Sequence, residues 1–412
     1  MTLDMNSSIV ITGIGIISPL GNSVEKFWQN CIAGNSGITE IAGFDTSSYQ
    51  SHLGAEISDF NPKAFMNPMQ YRKMSNASRF AVAASVQALH DASLPISDTA
   101  SDRIGCIVGT GFGSTSYTDA FFLSLLKEGP EFAQPFFFSE TVPNAPASQI
   151  SIAHKIRGPL STVSHNNVSG ELALCYAFDL LQSGRADAMV VGGVDELNDI
   201  IFHSYAQLGV LSPQDRGKES VRPFDQKRNG IILGEGAAVL VLEREEHAYT
   251  RGVTPYGKIC GYASGGDDTE VGKYGISEDP IAKVIDTALQ TSRIAKQEID
   301  FISSAANASM VLDRLEAKAI KKVFGTLTQK LPVTTLKSQI GEYAGMGVIR
   351  MATAILTLKN QLIPPTINLE TQDEECKPLY VIKRPIRSAL KTGLLNGISF
   401  GGANVAIVFQ KL

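Results

Sequence analysis

Short apolar runs of strand length recur along this chain with helix-length segments between them, and the alternation begins again near Tyr256. Runs at 9–11, 104–108, 188–191 and 237–242 are apolar and mostly flanked by glycine, the pattern of strands buried on both faces. Segments 78–92 and 171–183 have helical composition. The second round predicts strands at 259–262, 301–304, 393–396 and 406–409, with helices at 279–292, 313–324 and 345–359. Two alternating halves, 1–255 and 256–412, predict a duplicated, layered α/β fold packed as one body, since no long linker interrupts them. The Phe- and Pro-rich stretch 129–143 reads as an excursion rather than a strand.

With 412 residues, 43% of them hydrophobic, and 37 glycines, the chain can bury two cores or one duplicated fold. A formal net charge of −5 and no obviously basic face argue against a nucleic-acid or anionic-membrane partner. Cys31, Cys106, Cys175, Cys260 and Cys376 are scattered, odd in number and without a Cys-x-x-Cys pair, which fits reduced cytoplasmic thiols rather than disulfides or a zinc site. The opening Met1-Thr2-Leu3-Asp4-Met5 lacks the charged and apolar regions of a signal peptide, and the longest apolar runs fall short of a membrane span. A cytoplasmic protein is expected.

Ser164-His165-Asn166-Asn167-Val168-Ser169-Gly170 is the stretch that speaks to chemistry. A β-branched run leads into this polar turn and a helix-forming segment follows at once. A side chain at the tip of such a strand–turn–helix points into a pocket, where the helix N-terminus stabilises negative charge. The turn is built like a nucleophile elbow but carries no cysteine. Ser169 and His165 do not make a serine nucleophile and base, since the pattern is not Gly-x-Ser-x-Gly and residues of one short turn seldom face each other. Cys175, two helical turns past Asn167 in an apolar stretch, reads as a core thiol. Gly13-x-Gly15 reads as a tight structural turn rather than a dinucleotide site, because Ser18 stands where a third glycine is needed. His52, His90, His154, His203 and His247 lack metal-ligand spacing, so packing is the default for each and no metal is expected.

Read in order, the motifs resemble the β-ketoacyl-acyl-carrier-protein synthases. They are Val10-Ile11-Thr12-Gly13-Ile14-Gly15 with Ser18-Pro19-Leu20-Gly21, then Arg72-Lys73-Met74, Gly192-Gly193-Val194-Asp195-Glu196 and Arg222-Pro223-Phe224-Asp225. Leu233-Gly234-Glu235-Gly236, Pro364-Pro365-Thr366-Ile367-Asn368-Leu369 and Asn396-Gly397-Ile398-Ser399-Phe400-Gly401-Gly402-Ala403-Asn404 follow. The resemblance implies the five-layered thiolase-type fold (α-β-α-β-α). It also puts the family's cysteine slot on Asn167, two residues before Ser169-Gly170. The family's first histidine belongs to an Asn-Ala-His-Gly-Thr segment that reads Ser303-Ser304-Ala305-Ala306-Asn307 here, leaving Ala305 in the slot. The second follows Lys337-Ser338-Gln339-Ile340-Gly341, so Glu342 occupies it, and the chain has no histidine after His247.

An amide is no nucleophile for acyl transfer, alanine does no acid–base work, and a carboxylate repels an enolate instead of stabilising it. With all three groups replaced, the resemblance implies no reaction in this pocket. It suggests a non-catalytic subunit like the chain length factor of type II polyketide synthases, which pairs with an active ketosynthase and shapes the shared acyl tunnel. A polyene or fatty-acid-like system fits the same description. The other readings are an acyltransferase or malonyl decarboxylase using other residues, and a homodimeric acyl-binding pseudoenzyme. No cofactor is implied; the partners are the catalytic ketosynthase, through a strand at 160–163, and a phosphopantetheinyl acyl carrier protein. Phe112, Phe136, Phe137, Phe138 and Phe400 are tunnel or pocket candidates, with core filling the plain alternative for Phe112. Asp313, Glu316, Lys337 and Glu342 form a candidate charge network in which Glu342 pairs with a buried Lys337. Arg72 and Lys73 are candidate carrier-protein contacts.

Overall fold

The first apolar run continues past Ile11 to form β1 (Ile9–Ile17), every residue of which is buried in the computed structural model. Gly13 and Gly15 therefore lie inside a strand, which corrects the expectation of a tight turn. β1 bulges between Ile11 and Gly13, and α1 (Asn76–Asp91) presses against it. A Cβ on Gly13 would fall 2.2 Å from the Ala88 carbonyl oxygen, and one on Gly15 1.9 Å from that of Ala84. These glycines are needed for the approach of a helix and not for a turn. The structure describes residues 8–270 and 272–412, and the side chains of Phe136 and Arg216 lie outside the described part.

The first half continues with β2 (Ile104–Gly109), α2 (Ala145–His154), β3 (Leu160–Val163), α3 (Ser169–Gln182), β4 (Ala188–Asp195), α4 (Asp199–Gln207) and β5 (Gly236–Arg244). The second half runs β6 (Gly257–Gly265), α5 (Asp279–Ser292), β7 (Phe301–Ser303), α6 (Met310–Phe324), β8 (Pro332–Thr334), α7 (Gly347–Asn360), β9 (Tyr380–Val381), β10 (Thr392–Ile398) and β11 (Asn404–Gln410). The 129–143 excursion is helical where it is regular, as at Pro135–Phe138.

Eleven strands pair in the order β9-β8-β7-β10-β11-β6-β1-β5-β4-β2-β3. The halves meet where β1 and β6 pair antiparallel, Ile9 against Ile259. From that seam outward each half repeats one topology. β1-β5-β4-β2-β3 matches β6-β11-β10-β7-β8, with two antiparallel pairings followed by two parallel ones in both. The helices repeat too: α1 and α2 cover the outer face of the first half, α5 and α6 that of the second, and α3 and α7 pack together between them. The result is five layers. Residues 347–358 of α7 are all buried, as an apolar helix in a central layer must be.

Placement of the functional residues follows from this order. β2, β3, β4, β7, β8 and β10 all hand over at their C-terminal ends to the loops 110–113, 164–168, 196–198, 304–309, 335–342 and 399–403. Pockets in open α/β sheets form outside those ends.

Candidate functional site

The turn between β3 and α3 is held by its own side chains. Asn166 takes a left-handed conformation (φ 48°), which asparagine tolerates better than most residues. The Ser169 hydroxyl donates to the Asn166 carbonyl (2.7 Å) and accepts from the His165 N–H (2.8 Å). Its proton is thus committed to the backbone, and it serves the turn rather than a base. Cys175 is buried in α3, where burial holds its thiol well above the usual range, so it is inert.

Asn167 is buried at the tip, and its amide donates to Glu342 Oε1. Glu342 is the hub of the site. Lys337 Nζ lies 2.7 Å from the same oxygen, and the Asn307 amide donates to Oε2. Lys337 and Glu342 meet because a short helix, Lys337–Ile340, ends on Gly341 at φ 68°, which turns the chain back on itself. Both charges are buried, so each depends on the other, and the Glu342 carboxylate depends also on the two amide donors. Asn307 is fixed from behind, its Oδ1 accepting from the Ser309 N–H (3.0 Å), and Tyr274 approaches its amide at 3.5 Å. Burial and the Glu342 charge hold the Tyr274 phenol well above its usual range.

Asp313 and Glu316 do not pair with Lys337, which corrects the single network expected from sequence. Both hold the loop after β7. Glu316 accepts from the Ser304 hydroxyl (2.7 Å), the Ala305 N–H (2.9 Å) and the Asn396 amide (2.8 Å). Asp313 accepts from the N–H groups of Phe224, Asn307 and Ala308, and its cation is Arg228 at 3.8 Å. Ala305 is fully buried and contributes its N–H to this scaffold. A separate buried ion pair, Glu171 Oε1 to Arg350 Nη1 at 2.7 Å, joins the first turns of α3 and α7.

A small cavity of about 20 Å³ adjoins Asn167 and Glu342, lined also by Phe112, Tyr205 and Tyr343. That is room for little more than one water molecule. Phe112 stands edge-on to Tyr205 at 6.3 Å, Tyr205 to Phe400 at 6.2 Å, and Phe400 to Tyr274 at 6.3 Å. Phe137 and Phe138 are not among the residues that line this cavity. They pack at Tyr117 (5.2 Å) and Phe121 (5.9 Å), and Phe136 has a side chain outside the described part. Arg72 and Lys73 are exposed and without an ion-pair partner among the described residues. Sequence reasoning gave no role to Asn307, Tyr205 or Tyr274. Only Asn307 carried a signal, since it lies within the segment aligned to the first histidine.

Burial pushes the Asp313 carboxyl up to about 7, against three N–H donors and Arg228, which pull it down. Its folded-state value lies above its unfolded one, so the folded state binds the extra proton. The stability this group contributes is therefore full at low pH and is lost as pH rises from about 4 through about 7. Asp195, held up at about 6 by burial, acts in the same direction. Stability measured by urea denaturation between pH 5 and 8 should fall more steeply with pH in the parent than in Asp313→Asn. Parallel slopes would contradict this.

Residues 6–248 match the family model "Beta-ketoacyl synthase, N-terminal domain", and residues 256–370 match "Beta-ketoacyl synthase, C-terminal domain". The chain is 32% identical to 3-oxoacyl-acyl-carrier-protein synthase 2 of Coxiella burnetii over 98% of each chain. Its fold is similar to that of the ishigamide ketosynthase/chain length factor, with a TM-score of 0.91, 29% identity, and 98% and 99% of the two chains covered. It is also similar to a type II polyketide synthase ketosynthase solved in complex with its acyl-carrier protein, with a TM-score of 0.90, 26% identity, and 98% and 100% covered.

Proposed function

The chain belongs to the β-ketoacyl synthase family, and we propose that within it this protein is a non-catalytic subunit that pairs with an active ketosynthase. In this reading it shapes the acyl tunnel of a type II polyketide or related synthase and limits chain growth, as a chain length factor does. One observation carries the reading: the family's nucleophile position holds an amide that donates to Glu342, itself neutralised by Lys337. No group there can attack a thioester, and an anion stands where an enolate would need a donor. The similarity to 3-oxoacyl-acyl-carrier-protein synthase 2 gives the family without restoring those groups.

A partner is supported by the free edge of the sheet. β3 is the last strand in the order, with Leu160 48% exposed, and Ile152 of α2 and Tyr176 of α3 are exposed apolar residues on the two helices packed against it. Unpaired strand edges beside apolar surface call for cover. Co-expression with a ketosynthase carrying an intact Cys-His-His set is expected to give a one-to-one complex that docks the carrier protein. Phe112→Ala should then lengthen the products. Exclusive homodimers in the presence of that ketosynthase, with products unchanged when this chain is omitted, would overturn the reading.

A further inference from the structure

A second cavity, about 280 Å³, opens at the surface between the end of α4 and the start of α6. Its lining has no charged side chain among the described residues, and at the mouth Leu208 and Met310 are 62% and 51% exposed. This outer cleft and the inner cavity at Asn167 share a single lining residue, Tyr205. Tyr205 is itself buried, clamped edge-on between Phe112 and Phe400. Its position on α4 is fixed, since Ile201 and Phe202 of the same helix are buried in a cluster with Leu211 and Leu233.

We propose that Tyr205 is a septum that divides the site into two compartments. A neutral aliphatic chain enters the outer cleft and stops at the Tyr205 ring, and position 167 stays sealed behind it. Leu208, Val210, Ile231, Met310 and Val311 favour an aliphatic chain, and the polar side chains beside them, Asn229, Ser309 and Tyr274, carry no charge to compensate a charged group for lost hydration. The inner compartment takes no chain, being of water size. Phe112 and Phe400 hold the ring from either side, so they support the division while Tyr205 makes it. The inference concerns the same site as the partner-subunit reading but rests on cavity geometry alone. Pairing is read by co-purification and the division by labelling, so either can fail while the other stands.

Asn167→Cys supplies a reporter thiol behind the septum. The probe is an iodoacetamide bearing a linear alkyl chain. Its methylene carbon forms a bond to the thiolate sulfur, iodide leaves with the bonding pair, and the thiol proton goes to buffer. Peptide mapping separates position 167 from the native thiols, of which Cys260 alone is not fully buried. Asn167→Cys/Tyr205→Ala is expected to label about tenfold faster or more than Asn167→Cys, and Asn167→Cys/Tyr205→Phe to stay slow. Should Tyr205→Ala fail to fold, Tyr205→Leu removes the ring while keeping an aliphatic side chain and is read in the same way. Equal labelling of position 167 with and without the ring would overturn the proposal.

Discussion

Arg350→Met is expected to lower the unfolding free energy by about 3–5 kcal/mol, the cost of leaving a buried charge without its partner. The Glu171 carboxylate is fully buried, and Arg350 Nη1 at 2.7 Å is its one side-chain donor among the described residues, with Oε2 unpartnered. The guanidinium also donates to the Ser303 and Asn396 carbonyls at 2.9 and 2.6 Å, so its loss strips donors from the ends of two strands. Because burial already pushes the Glu171 carboxyl upward, the orphaned group should take up a proton, which softens the loss without cancelling it. Glu171→Leu/Arg350→Met removes both charges and leaves only the two carbonyls short. It should therefore be more stable than Arg350→Met alone, with a coupling of about 1 kcal/mol or more in a double-mutant cycle. Urea midpoints for the four proteins decide the matter. An Arg350→Met midpoint close to the parent's, or strictly additive effects, would show that the pair is not coupled as the geometry implies.

That pair also shows what was and was not legible in the sequence. The layered alternation was open to reading because buried strands and amphipathic helices leave local patterns. The helix predicted at 279–292 forms at Asp279–Ser292, where Pro280 fixes the first turn and the buried residues recur at helical spacing. Gly13 and Gly15 were misread because what decides them is the approach of α1, a contact with no local signature. At the site, the register of the motifs drew attention to Asn167 and Glu342, which the fold brings into hydrogen-bond contact, and to Ala305, whose N–H goes to Glu316 instead. Asn307 escaped notice because its part depends on the loop after β7 curling back over Glu342. Tyr205 and Tyr274 carry no pattern that separates a lining aromatic from a core one. Phe137 and Phe138 illustrate the converse, apolar residues in a suggestive segment that pack elsewhere. Arg350 did leave a clue, as the single charge in the apolar stretch 347–358, and a buried charge requires a partner.

Asn167→Cys is expected to give no condensation product above the background of the parent when supplied with acyl- and malonyl-carrier protein. The new thiol would lie beside Glu342, whose charge disfavours the thiolate, although the N-terminus of α3 favours it. Acylation would therefore be slow at best. Carbon–carbon bond formation also needs donors for two developing oxyanions, and removing one such donor typically costs about 10²–10³ in rate. Ala305 supplies none from its side chain, and Glu342 supplies charge of the wrong sign. Adding Ala305→His and Glu342→His does not simply reverse the history of the site, because Lys337 would then lose its one ion-pair partner among the described residues. A buried ammonium left alone costs several kcal/mol, so the triple variant should melt well below the parent. Mass-spectrometric detection of the β-ketoacyl product and a melting curve read the two effects separately. Product formed by Asn167→Cys alone above the parent level would sink the argument. If the outcome is as expected, the site is held as it is by its charges, since the histidine that would restore chemistry at 342 breaks the neutrality that Lys337 and Glu342 now share.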